Sequence, residues 1–193
     1  ALKSGLLELI ERDACISSYL TKREICKIVN FSQDINGLIK YFRRYQLEPH
    51  IFDITTDLSV PTILAITIDN TSFGPAVNVG SRSGLNYEIT IKEAMLESIQ
   101  CRREARLTCK REDVENIVSI SSLEDRFLYW SSVEKIKFLE FWLNSDKLVD
   151  FRDLQNRPKL SFEQIVDMLR EKKFHLFCAD ISIPEIKERG FEV

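Results

Sequence analysis

Apolar positions recur at helical spacing from the start of the chain. Leu6, Leu7, Ile10 and Ala14 form one stripe and predict a helix over residues 2–20. Ile35, Leu38, Ile39 and Phe42 predict a second helix over 33–46, and Ile91, Met95 and Ile99 mark the longest, over 88–111. The run 132–143 is also helical in pattern, and Ser161 ahead of Glu163 caps a helix over 161–173. The pattern changes to β-branched runs in HIFDIT (50–55) and PTILAITI (61–68), which read as strands, with Pro61 closing the break between them. AVNVG (76–80) is a third strand, and SRSG (81–84) reads as the turn after it. FHLFCADIS (174–182) reads as a strand, Pro184 begins a turn or short helix, and GFEV (190–193) starts another strand. Residues 112–131 read as polar and irregular, and 144–160, polar with Pro158 near its end, as a linker. Helices and strands are mixed, with two neighbouring strands early. The expectation is an α+β fold, a mixed sheet packed with helices.

Composition narrows the class. A chain of 193 residues, 44% hydrophobic and 30% charged, can bury a core and is not of disordered type. Its net charge of -3 makes no global electrostatic case for nucleic acid. No apolar run is long enough to span a bilayer, and no signal peptide is visible. The five cysteines are widely spaced without a C-x-x-C pair, which argues against a disulfide framework. The two histidines, His50 and His175, lie in separate regions, so a His/Cys zinc site is not expected. These features together predict a cytoplasmic protein with neither nucleic acid nor membrane as partner. The sequence opens in mid-helix without a preceding capping residue, as expected of a piece of something longer.

Candidate chemistry lies on two helices. Ser4, Glu8 and Glu11 stand at i, i+4 and i+7, within roughly 40° of one line on a helical wheel, and Arg12 flanks them. On the long helix Glu93, Glu97, Gln100 and Glu104 form a second stripe, with Arg103 beside it. Carboxylates can hold Mg2+ while phosphates and water complete its octahedron. Arginine clamps phosphate oxygens, and an amide can meet a ribose, base or phosphate. An acidic stripe opposite an apolar one is ordinarily a solvated face, so spacing alone names no nucleotide. His50 and His175 are general-base candidates by residue type, although a lone histidine beside a strand is ordinarily structural. Cys15 and Cys101 lie in or after these helices and read as small buried residues rather than thiol-transfer groups.

The wording of the residues goes further. GLLELIERDA (5–14) resembles the second of three helix motifs of the YcaO family, and VGSRSGLNYEITIKEAMLESIQCRREARL (79–107) resembles the third, a turn leading into an E-x-x-Q-x-R helix. FDITTDLSVPTILAIT between them is similar to the family's strand pair, and HLFCADISIPEIKERGFEV to its later strand and turn. The SRSG turn is less glycine-rich than the family's. The resemblance implies a YcaO-like core over 1–193, truncated at the N-terminus and at the C-terminus, with the first motif, S-x-x-x-E-x-x-E-R, lying upstream. It implies ATP and Mg2+ as cofactors, with Ser4, Arg12, Gln100 and Arg103 toward nucleotide and Glu8, Glu11, Glu97 and Glu104 toward metal. The activity implied is ATP-dependent activation of a peptide backbone amide, giving an azoline ring or a thioamide. Thioglycine formation in methyl-coenzyme M reductase is one instance. The alternative is a non-catalytic accessory protein in methylthiolation or peptide maturation. Partners implied are a peptide or protein substrate, a protein that presents the peptide or delivers sulfide, and a second copy in a homodimer. No catalytic base is assigned.

Overall fold

The computed structural model describes residues 1–71, 74–108, 120–179, 185, 188 and 190. Among these residues a five-stranded mixed sheet runs in the order β4-β3-β2-β1-β5. The strands are β1 (Cys26–Val29), β2 (Leu47–Asp53), β3 (Thr62–Asp69), β4 (Val77–Ser83) and β5 (Leu148–Asp150). β1 and β5 pair in parallel, and the other pairs are antiparallel. The helices are α1 (Leu2–Leu20), α2 (Gln33–Arg44), α3 (Tyr87–Thr108), α4 (Leu123–Tyr129), α5 (Glu140–Leu143), α6 (Phe151–Gln155) and α7 (Phe162–Glu171). A 3-10 helix, Val133–Leu139, precedes α5. The expected α+β class, a mixed sheet packed with helices, is the class observed. No helix among the described residues is long and apolar enough to cross a membrane.

Alternation along the strands sorts the core onto two faces. Ile51, Ile63 and Ala65 meet α2 and α3 through Ile35, Ile39, Phe42, Ile91 and Met95. Phe52, Leu64, Ile66 and Ile68 meet Ala14 of α1, Leu139 and Trp142 on the other face. β3 lies between both layers and is buried throughout, which is why PTILAITI reads as an unbroken apolar run. A third cluster joins Leu6 and Ile10 of α1 to Leu58, Val60 and, on α7, Ile165 and Leu169. α1 and α3 thus lie on opposite faces, and both pack against the edge strand β4.

Several sequence expectations fail here for physical reasons. The supposed linker 144–160 contains β5 and α6, and Phe151 and Leu154 are buried in the first core. Its polar residues mask two apolar anchors. β1, Cys26–Val29, lies beyond the predicted elements; its four residues are too short for a periodic signal. The expected turn 81–84 is strand as far as Ser83, because Ser81 and Arg82 pair with Leu64 and Ile63. Residues 120–131, expected to be irregular, include α4, which Ser122 starts with a capping box to Asp125. Residues 174–179, expected as strand, form no regular element, and Phe177 is 94% exposed. The expectations for 112–119, 180–184 and the end of GFEV lie outside the described residues.

Candidate functional site

β4 ends the sheet, so alternate N–H groups along it face away from β3 and need partners other than a strand. Two carboxylates fill that need. Ser81 N–H donates to Glu97 Oε2 at 3.1 Å, and Ser83 N–H donates to Glu11 Oε2 at 3.3 Å. Ser81 Oγ also donates to Glu11 Oε1 at 2.7 Å. Glu11 comes from α1 on one face of the sheet and Glu97 from α3 on the other. They converge on one serine at the edge.

Close approach of α3 to β4 sets the position of Glu97. A Cβ on Gly80 would lie 2.2 Å from Ala94 O and 2.5 Å from Ser98 N. Only glycine admits the helix so near. The seam is held by polar pairs that are themselves buried. Thr67 and Ser98 share a hydrogen bond of 2.8 Å, and Arg102 of α3 pairs with the buried Asp69 of β3 at 2.7 Å.

Electrostatics mark the pair as unsatisfied. Glu97 is held above the usual carboxylate range, first by burial and then by Glu11, against the Ser81 N–H and the charges of Arg82 and Arg12. Glu11 is only 9% exposed. Two desolvated like charges on a shared serine favour a cation between or beside them. Cys15 feels the same field, since burial and then Glu11 and Glu97 push its thiol up, away from nucleophilic thiolate.

The other expected residues fall around this pair. Glu8 is exposed and holds Arg12 at 2.6 Å, so it serves the guanidinium. Glu93, a member of the α3 stripe, pairs with Arg82 at 3.0 Å. Ser4, Gln100 and Arg103 are exposed, Ser4 two turns before Glu11 and the others one and nearly two turns after Glu97. The side chain of Glu104 lies outside the described residues, as does that of Cys101. His50 sits on β2, two strands in from the edge, and burial followed by Lys27 pushes its imidazole down. His175 is exposed in the segment after α7. Ser81, Ser83, Arg82 and Gly80 were missed as site residues, because the SRSG composition signals a turn. The alternation of small and polar side chains continuing from AVNVG was the available signal for strand.

Among the described residues no group of three or more His, Cys, Asp and Glu could hold a metal ion. A carboxylate pair is nevertheless what Mg2+ uses when phosphates and water supply its remaining oxygens. The residues present therefore fit a Mg2+–nucleotide group rather than a metal caged by protein alone. The run Ser4–Arg12 also has the S-x-x-x-E-x-x-E-R spacing expected upstream. Whichever motif it represents, the same two carboxylate helices grip β4.

Known proteins share this architecture. A YcaO from Methanopyrus kandleri, solved with AMPPCP and Mg2+, superposes with a TM-score of 0.58 at 18% identity, over 86% of this chain and 41% of that one. A heterocyclase solved in complex with substrate and cofactor gives a TM-score of 0.71 at 16% identity, over 90% of this chain and 23% of that one. An uncharacterized protein of Methanothermobacter thermautotrophicus is 25% identical over 97% of this chain. The chain spans about half the length (50%) of that curated relative. The family description "YcaO cyclodehydratase, ATP- and Mg2+-binding" matches residues 1–193. Matched to it along its whole length, the chain belongs to the YcaO family.

Proposed function

We propose that Glu11 and Glu97 are the protein's hold on the Mg2+ of a bound Mg2+–ATP, and that the chain serves ATP-dependent activation of a peptide backbone amide. The observation that carries this is the convergence of the two carboxylates on Ser81 from opposite faces of the sheet. The family description supports ATP and Mg2+ as the group concerned. Bound there, Mg2+–ATP would supply an electrophilic phosphoryl group to the amide oxygen.

The chain's own residues bind and orient. Ser81 and the β4 backbone keep Glu11 and Glu97 at fixed positions before any cation arrives, so little reorganisation is needed on binding. Arg82, held by Glu93, and Arg12, held by Glu8, place positive charge beside the pair, where phosphate oxygens can be met. Ser4, Gln100 and Arg103 are proposed as outer nucleotide contacts, and Glu8 and Glu104 as further carboxylates toward the metal. The substrate class proposed is a peptide or protein segment, with a neighbouring Cys, Ser or Thr giving an azoline and external sulfide giving a thioamide.

Thermal unfolding tests the reading. At a hundred times the dissociation constant, Mg2+–ATP should stabilise the chain by about 2.7 kcal/mol. That corresponds to a rise in Tm of roughly 5–10 °C for a chain of this size. Glu11→Gln and Glu97→Gln should each abolish most of the rise. Equal Tm with and without Mg2+–ATP would remove the nucleotide site from this pair.

A further inference from the structure

A cleft of about 630 Å3 opens at the end of the sheet where β2 finishes and α3 begins. It lies between the α1–β1 connection (Arg23), the β2–β3 connection, Tyr87 and the α6–α7 connection (Arg157). Its size suits a small ligand or a side chain, and its hydrogen-bond groups do not balance.

The carboxylates of the cleft are already engaged. Asp53 Oδ1 accepts from the Thr55 N–H at 3.1 Å and from the Thr55 hydroxyl at 2.5 Å. Asp53 Oδ2 accepts from Arg157 Nη1 at 2.8 Å. The same Nη1 donates to Tyr87 Oη at 2.9 Å. Glu24, at the exposed rim, is paired with Lys147 at 2.7 Å.

The donors are in surplus. Arg157 makes both of its bonds through Nη1, and its side chain is 43% exposed while Asp53 is 7% exposed. Among the described residues Nε and Nη2 of Arg157 therefore remain as an open fork, with the guanidinium 5.7 Å from the Tyr87 ring centroid. Arg23 gives Nη2 to Ile54 O at 2.7 Å, and its buried Nε has no partner among the described residues. The Thr56 hydroxyl accepts from Leu58 N–H at 3.4 Å, which leaves its own proton to donate. Tyr87 keeps its proton, since burial and then Asp53 push its ionisation up, and gives it to the Thr55 hydroxyl at 3.4 Å, so it adds no free donor.

We infer that this cleft is an oxyanion subsite, separate from the Glu11–Glu97 pair, that takes a carboxylate or phosphate group on the fork of Arg157 with Arg23 and Thr56 completing the cradle. A planar guanidinium with two free N–H groups recognises both oxyanions bidentately. The group could come from an acidic residue of a peptide or from a phosphate, and the probes below separate them.

The test is a titration of the whole chain without Mg2+ or nucleotide, so it stands apart from the reading of the metal pair. Arginine Nε–H resonances are followed while inorganic phosphate is added, and in a second arm N-acetylglutamate amide. Saturable shifts of the Arg23 and Arg157 signals are expected with at least one probe. The tighter probe identifies the source of the oxyanion. Arg157→Lys keeps a cation against Asp53 but lacks the fork, and should weaken binding about 10-fold. Thr56→Val touches neither arginine and should weaken it about threefold. The inference is overturned if neither probe moves the Arg23 and Arg157 signals, or if only Arg12 and Arg82 respond. Unchanged affinity in Arg157→Lys overturns it equally.

Discussion

Glu97 carries the sharpest consequence at the scale of single residues. Burial and Glu11 hold its carboxyl above the ordinary value of 4.5 in the folded chain. A carboxyl raised on folding stabilises the protein fully below its ordinary value, and that contribution is lost as pH rises through the raised one. Glu97→Gln removes the charge but keeps an oxygen to accept from Ser81 N–H. Without Mg2+, the variant should therefore melt above the wild type at neutral pH. The difference should shrink steadily as the solution is acidified. Thermal melts between about pH 4 and about pH 8 measure it, and a gap that stays constant across that range would contradict the account. Adding Mg2+ at neutral pH should narrow the gap, because a cation relieves the wild-type pair and has no second charge to relieve in the variant. Glu11→Gln is a harsher change. Both Glu11 oxygens are in use, and an amide offers only one acceptor.

The fit between α3 and β4 decides whether the site exists, and Gly80 governs that fit. Its added Cβ would collide with backbone atoms of Ala94 and Ser98, which cannot rotate away. Gly80→Ala should cost about 3 kcal/mol by denaturant unfolding. It should also remove stabilisation by Mg2+–ATP, since Glu97 moves with the helix. A loss below about 1 kcal/mol would mean the helix accommodates the methyl group without strain. Leu154→Ala is the matched comparison. Leu154 of α6 is fully buried, and its truncation should cost about 2–5 kcal/mol. Because α6 follows β5, the edge of the sheet opposite β4, stabilisation by Mg2+–ATP should survive in that variant. The same substitution would be nearly neutral if residues 144–160 were the linker that their polarity suggests.

For the molecule as a whole the proposed activity predicts the fate of a peptide amide. The chain spans about half the length (50%) of its curated relative, so the proposed activity is assayed both on this chain and on one extended to that relative's length. With a peptide containing Cys, Ser or Thr, Mg2+–ATP should yield a product lighter by one water if a ring forms. With sulfide present, replacement of oxygen by sulfur marks a thioamide. Either product should disappear in Glu11→Gln and Glu97→Gln. Product formation that persists in both variants would place the chemistry elsewhere. His50 is no base for the pair, because it lies on β2, two strands in from the β4 edge where Glu11 and Glu97 meet.

Local pattern determined much of this protein. The stripes of α1, α2 and α3, the apolar run of β3 and the two acidic helix faces are all readable from residue spacing, because helices and buried strands repeat within a few residues. The order of their wording also carried the family resemblance. Spacing could not tell Glu11 from Glu8, one buried against Ser81 and the other exposed on Arg12, although both sit on the same stripe. That difference depends on which part of the stripe β4 covers. Nor could it show that SRSG continues a strand, because pairing with β3 overrides a turn-like composition. The site is made where two helices from opposite faces meet one edge strand, an arrangement of residues some 70 positions apart in sequence that only the folded sheet brings together.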